Sequence, residues 1–319
     1  MVTITSGPPD ADVGRATKSA LSPGPRLAHY RDKLVPYWFV LPVLVVFVVL
    51  FLVPMVESLY YSFTNYNGYV SSPTFVGLKN YVSIWSDSSM LSALGFTLLY
   101  AVATTVAVTV LAIPLALILN RRFFGRGFVR ATFFFPAVPS VAVLGLVWTF
   151  ILSPLGSGVI NSVLSAIGVG SVPWLSDEGL AKFSVILVAV WAQTGWHAML
   201  YLAYLQSLPS EMFEASKIDG ATSWQEFRFL TLPLLTPAVS ISSLLLLTNG
   251  LKVYDLPFTL THGGPGYATR TLTQAIIENG IAQSDVGRAS ALSVLFLIAV
   301  AIVILAQLAI SRRLEARYS

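Results

Sequence analysis

No charged residue occurs between Trp38 and Val56, and five further stretches of the chain are nearly as apolar. A helix that crosses a bilayer needs about 20 consecutive apolar residues, because each adds 1.5 Å of rise against a hydrocarbon core of about 30 Å. The predicted spans are Pro36–Ser58, Leu94–Leu119, Ala131–Leu152, Phe183–Leu205, Pro237–Leu260 and Ala289–Ile310. Only helices and closed barrels satisfy every backbone polar group in lipid, and runs this long are helical. The expected fold is therefore all-α: a polytopic membrane bundle of six transmembrane helices. Pro42, Pro54, Pro114 and Pro136 fall in or near these spans and predict local kinks.

Only 11% of the 319 residues are charged, and the mean hydropathy is +0.74. A water-exposed surface could not be covered by so few charges, so lipid is the implied solvent. The net charge of +4 raises the question of nucleic acid. The placement of the charges answers it. With the N-terminus inside, fourteen of the 19 Lys and Arg fall on inner segments, including Arg121, Arg122, Arg126, Arg130, Lys217, Arg228, Arg312 and Arg313. Four (Lys79, Lys182, Arg270 and Arg288) fall outside, and Lys252 lies within the fifth span. This is the positive-inside pattern, with both termini cytoplasmic and no nucleic-acid partner. Cysteine is absent, which excludes disulfides, thiolate metal sites and a cysteine nucleophile. His29, His197 and His262 are scattered and predict no metal site. The organisation read from these features is a polar, disordered cytoplasmic tail over 1–35, a membrane domain over 36–311, and a short cytoplasmic tail over 312–319. The N-terminal segment has no apolar core of its own and is not itself a signal peptide.

The loops carry further signals. Val159, Ile160, Val163, Leu164 and Ile167 recur at helical spacing in the second outer loop and predict a short surface helix. His262-Gly-Gly-Pro-Gly266 in the third is a turn cluster. The inner loop over 208–237 is longer than a reversal between packed helices requires. Its sequence predicts an elbow: a helix capped at Ser210 with Glu211 and Glu214 near its start, a stop at Gly220, and a second short helix from Thr222 or Ser223 that ends before Pro233. A surface hairpin without a partner would look the same on these grounds alone.

Glu214-Ala215-Ser216, Gly220 and Leu230-Thr231-Leu232-Pro233 resemble the signature of ABC-importer permeases: Glu-Ala-Ala, three residues, Gly, nine residues, Ile, any residue, Leu-Pro. Ser216 and Leu230 are small departures. Asp219-Gly220-Ala221, Leu260-Thr-His-Gly-Gly-Pro265, Thr269, Thr271 and Gly287-Arg-Ala-Ser-Ala291 are further similar to the carbohydrate, maltose-permease-like branch. The resemblance covers Trp38 to the C-terminus. It implies a permease subunit in a bacterial inner membrane, forming half of the pathway for a sugar of the trehalose or maltose type or a longer oligosaccharide. It implies that the elbow couples to an ATPase dimer through Glu214, Ala215, Ser216, Asp219, Gly220, Leu232 and Pro233. It also implies a second homologous permease and an extracytoplasmic sugar-binding protein. The chain has no Gly-x-x-x-x-Gly-Lys-Ser/Thr phosphate loop, so catalytic residues and a cofactor are not expected on it; ATP and magnesium would sit on the partner.

Sugar recognition inside a membrane needs hydroxyl-matching polar groups and aromatic faces. Polar side chains are costly at membrane depth, and each is a candidate. The fourth span offers Gln193, Trp196, His197 and Tyr201, with 193, 197 and 201 on one helical face. The fifth offers Asn249, Lys252, Tyr254 and Asp255. Other roles compete: Lys252 and Asp255 can pair with each other, His197 can bond a neighbouring helix, and Trp196 and Tyr201 can be packing aromatics. A secondary transporter is the rival class. It would call for inverted repeats and coupled intramembrane carboxylates, whereas no repeat is evident and Asp255 is the only acid well inside the spans.

Overall fold

The computed structural model describes residues 40–154 and 158–315. The tail expected over 1–35 and the last four residues of the tail expected over 312–319 lie outside the described residues. Two units are distinguished, residues 1–55 and 56–319. The first is described here from Val40, in the helix α1 (Val40–Tyr61), which contains a π-helical turn at Val48–Leu52. No strand occurs among the described residues; Thr64 and Phe75 form one isolated antiparallel bridge.

The second unit is a helical bundle. After the short α2 (Lys79–Trp85) come α3 (Ser88–Asn120), α4 (Arg126–Phe134), α5 (Val141–Ile151), the surface helix α6 (Val159–Ala166) and α7 (Glu178–Leu205). The elbow helix α8 (Ser210–Ile218), the long α9 (Ser223–Leu251), the short α10 (Asp255–Thr261) and α11 (Leu272–Ile277), and α12 (Val286–Glu315) complete it. Five helices (α1, α3, α7, α9 and α12) are long and apolar enough to cross a membrane. The count reaches six only if α4 and α5, which meet at a 93° bend, form one span.

Burial is arranged as lipid solvation demands. Along α3 the stripe Leu98, Val102, Val106 and Val110 is exposed, while Ala93, Thr97, Ala101, Thr104, Val108, Ala112 and Ala116 are buried. Helices in lipid gain little from hiding large apolar side chains, and small residues at their contacts let backbones approach. Gly250 of α9 illustrates the closeness, since a Cβ there would lie 2.8 Å from Cα of Ala101. Gly195 of α7 sits directly against the carbonyl oxygen of Phe133 in α4, leaving no room for a side chain. The core where α3, α7 and α9 meet is closed by Leu119, Leu205, Leu235 and Leu246 around Tyr201, which is fully buried.

Two expected elements differ in continuity. The predicted third span is broken at Val138–Ser140. Pro136 and Pro139 supply no amide hydrogen there, and Ser140 adopts an extended conformation (φ −58°, ψ 137°) as the N-cap of α5. The predicted fifth span begins earlier than expected and breaks at Lys252–Tyr254, before α10 resumes. The second elbow helix does not end before Pro233 as expected. A π-helical turn at Glu226–Thr231 runs into Leu232, and Pro233 falls in the first turn after it, where a missing amide hydrogen does least harm. One continuous helix therefore joins the elbow to the bundle. Ser210 is not the cap of α8: it is the first helical residue, Pro209 precedes it, and no side-chain cap bond forms. The surface helix α6 matches the expected position.

Candidate functional site: a cavity between two broken spans

The two breaks face each other. Pro136, Ala137, Pro139, Val141 and Leu144 from the α4–α5 bend, and Asn249, Lys252, Val253, Tyr254 and Asp255 from the α9–α10 break, line two adjoining lobes of roughly 360 and 380 Å³. Val141, Leu144, Ala192, Gln193 and Asn249 belong to both lobes, so Gln193 and Asn249 stand at their junction. Interrupted backbone at membrane depth is tolerated where it is buried in protein or lines a water-filled cavity, because the freed amides and carbonyls need partners. The combined volume lies in the range of small-molecule sites.

Of the eight pathway residues expected from sequence, seven line this space. Lys252, Tyr254 and Asp255 belong to one lobe, and Trp196 and His197 to the other. Tyr201 does not. It is turned into the core, where its hydroxyl donates to Ser242 Oγ of α9 (2.8 Å). The same Ser242 oxygen lies 2.7 Å from His197 Nδ1. Since Ser242 accepts from Tyr201, its single proton is available to Nδ1, which calls for a neutral imidazole with the proton on Nε2. His197 thus bonds the neighbouring helix through one nitrogen and keeps the other as a donor for the lobe it lines. Tyr100 of α3, which the sequence did not suggest, adds an aromatic wall. Lys252 and Asp255 do not form the ion pair that competed with a pathway role; neither side chain has an ionic partner among the described residues. Lys252 ends α9 and Asp255 opens α10, so the three-residue break removes the helical register that would have joined them.

Beyond the cavity lining, the connection from α10 to α11 and the start of α12 are held by polar contacts that sequence reasoning missed. Arg270, only 3% exposed, pairs with Glu278 (Nη2–Oε2, 2.6 Å), donates to Ser89 Oγ, and lies over the Tyr267 ring. Gln274 bridges Glu278 and the carbonyl of His262. The turn cluster is clasped by Thr269, whose hydroxyl donates to Gly264 O and meets Thr261 Oγ1 at 2.6 Å. His262, Gly263 and Gly266 all have positive φ there. A second pair, Arg288–Asp87 (2.6 Å), ties α12 to the N-cap of α3. Partial burial alone would raise the Asp87 carboxyl, but hydrogen bonds from Ser89 and Arg288 and the arginine's charge hold it down at about 2.

At the elbow, Gly220 has φ +74° in otherwise open space, so its backbone conformation and not crowding requires glycine. Thr222 and Gln225 form a reciprocal capping box at the start of α9. Ala215, Ser216, Asp219 and Gly220 line an open concavity with Gln225 and Phe229. Glu214 is exposed and has no ionic partner among the described residues. Ile218, Trp224 and Phe229 are large apolar side chains standing largely exposed around the elbow.

Apolar helices with exposed apolar stripes, two of them interrupted around a cavity, define a multi-pass membrane protein. Residues 109–317 match the family described as binding-protein-dependent transport system inner membrane component, and the chain belongs to that family. It is 35% identical over 283 residues to a probable starch degradation products transport system permease protein of Thermoanaerobacterium thermosulfurigenes, covering 88% of this chain and 95% of the relative. It is 33% identical over 267 residues to a trehalose/maltose transport system permease protein of Thermococcus litoralis, covering 83% and 90%. A crystal structure of a bacterial ABC transporter that imports the acidic polysaccharide alginate contains a chain of the same fold. That match has a TM-score of 0.79 at 23% identity and covers 90% of this chain and 99% of that one.

Proposed function

We propose that this chain forms half of the translocation pathway of an ATP-driven sugar importer, taking a neutral di- or oligosaccharide such as a trehalose- or maltose-type sugar. The observation that carries the reading is the cavity between the two broken spans. Gln193, Asn249 and His197 offer amide and imidazole hydrogen-bonding groups, while Trp196, Tyr254 and Tyr100 offer aromatic faces for sugar rings. Lys252 is the one cation in its lining, and a phosphorylated or acidic substrate would call for more. The relatives' names favour a carbohydrate and range over starch products, trehalose/maltose, arabinooligosaccharides and sn-glycerol-3-phosphate.

In this reading both termini face the cytoplasm and the elbow is the docking site for a separate ATPase dimer. Glu214 presents an unpaired carboxylate to it, and the exposed Ile218, Trp224 and Phe229 present apolar surface. Because one helix, α9, runs from the elbow to the cavity, a displacement of Ser223 is passed along it to Asn249 and the break beyond it. A second homologous permease would complete the pathway, and an extracytoplasmic binding protein would deliver the sugar. The test is affinity isolation of the tagged full chain from its native membrane, parent beside Glu214→Arg. Recovery of an ATPase and a second permease with the parent, and loss of the ATPase with the variant, supports the reading. A chain that comes down alone from parent and variant alike would favour a secondary transporter.

A further inference from the structure

We propose that the connection between α3 and α4 is a binding site for the phosphate headgroup of an anionic phospholipid in the inner leaflet. The proposal rests on the topology given above, with this connection on the cytoplasmic side. Arg121, Arg122 and Arg126 cluster where α3 ends and α4 begins, and none of the three has an ionic partner among the described residues. No aspartate or glutamate occurs between Asp87 and Asp177, so the segment has no acid of its own to neutralise them. The fourth arginine behaves differently. Arg130 turns inward and donates from Nη2 to the carbonyl of Leu119 (2.9 Å), closing the end of α3 and fixing the angle of the connection.

The apolar side chains beside these cations specify lipid over a free anion. Phe128, Ala131 and Phe135 follow one another at three- and four-residue steps along α4 and its end, which places them on one face, and Phe124 stands in the turn just ahead of the helix. Phe124 is fully exposed, Phe128 is 78% exposed and Phe135 is 65% exposed. A phenylalanine stripe of this kind has no reason to stand open to water, but beside acyl chains it continues the apolar surface of the third span. Three guanidiniums at its head meet the level of the lipid phosphates, where arginine makes bidentate hydrogen bonds to phosphate oxygens. Gly125, with φ +78°, makes the turn that leads from Arg121, Arg122 and Phe124 into α4, which Arg126 opens.

The experiment uses the full chain in whatever complex it forms in its own membrane, purified and delipidated. Native mass spectrometry then compares binding of phosphatidylglycerol and phosphatidylcholine to the parent and to the triple variant Arg121→Gln, Arg122→Gln, Arg126→Gln. Each arginine near an anionic surface contributes roughly a fivefold preference, so the triple variant is expected to lose on the order of 100-fold. The control Arg312→Gln, Arg313→Gln, which neutralises the basic end of α12, should retain the parent's preference. Equal loss in the control would overturn the site in favour of a diffuse charge effect, as would a triple variant that keeps the preference. Arg121→Lys, Arg122→Lys, Arg126→Lys keeps the charge if the glutamine variant fails to assemble; it should retain most of the preference but hold phosphate less selectively. Inorganic phosphate that displaces phosphatidylglycerol at millimolar concentration would overturn a lipid source. The chain has no cysteine, so Gly127→Cys reports the side of the membrane separately. Labelling from the outside would overturn the topology and the leaflet with it, whatever the lipid titrations give.

Discussion

Replacing Ser242 by alanine removes one oxygen from the core and leaves the packing otherwise intact, yet it breaks two contacts at once. Tyr201 loses the acceptor at 2.8 Å and His197 loses the partner of Nδ1 at 2.7 Å. All three residues are buried, Tyr201 and Ser242 completely and His197 to 4% exposure, so water does not replace the lost partner for the tyrosine. Interhelical hydrogen bonds inside bilayers contribute about 0.6 kcal/mol on average and up to about 1.7. Losing two of them sets the expected loss at about 1–3 kcal/mol, with Thr109 within reach of the freed tyrosine hydroxyl. The assay is unfolding of the purified complex in mixed detergent micelles, run as a double-mutant cycle with Tyr201→Phe. A coupling of about 0.6–1.7 kcal/mol between the two positions is expected, because each substitution removes the same bond. Sugar uptake should also fall, since the freed His197 no longer presents Nε2 to the cavity in one orientation. Tyr201→Phe costing as much in the alanine background as in the parent would refute this account of the α7–α9 contact.

Three other perturbations follow from the same geometry. Gly195→Ala places a methyl group against the Phe133 carbonyl and should cost about 1–3 kcal/mol, measured as a lower unfolding midpoint; an unchanged midpoint would mean that α4 and α7 are not in contact. Arg270→Gln removes the ionic partner of Glu278, which is 34% exposed and keeps Gln274, and should destabilise the chain by about 1–2 kcal/mol, with Arg270→Gln/Glu278→Gln recovering part of the loss in the same assay. Asp87 is held below its unfolded value, so it binds fewer protons folded than unfolded between about pH 4 and pH 2. Its contribution is present above pH 4 and fades as pH falls through 2, and Asp87→Asn should flatten the acid side of the stability profile between those limits.

The apolar segments were legible because lipid imposes a length and a composition that no soluble loop shares. Gly220 and the α6 periodicity were legible because turn chemistry and helical spacing are local. What sequence could not show was continuity. Pro233 reads as a helix stop under the ordinary rule, but the π-turn before it shifts the ladder so that its missing amide falls where none is needed. Lys252-Val-Tyr-Asp255 itself carries no glycine or proline, but Pro257 four residues after Val253 can neither bond nor clear that carbonyl in a continuous helix, and α10 then lies along α5 with Gly145 making room for Thr259. Tyr201 looked equivalent to Gln193 and His197 on the helical wheel. Across eight residues a straight 100° step drifts by about 80°, enough to carry the tyrosine from the cavity edge to the α9 contact.

The two breaks have a common consequence for how such a chain can move. An unbroken span transmits a push along its axis, whereas a broken one yields at the break. Here α9 is one helix from the capping box at Thr222 to Leu251, with a π-turn and two prolines near its elbow end, and breaks at the cavity wall, while the partner span breaks at Val138–Ser140 on the opposite wall. Bending at these two places changes the shape of the cavity and leaves the packed contact of α3, α7 and α9 unaltered. Ser242 contacts α7 through His197 and Tyr201, and Asn249 lines the cavity two turns further along nearly the same face of α9. Loosening the first contact therefore misplaces the second, so a loss of helix packing at Ser242 should appear as a loss of uptake before the bundle itself comes apart.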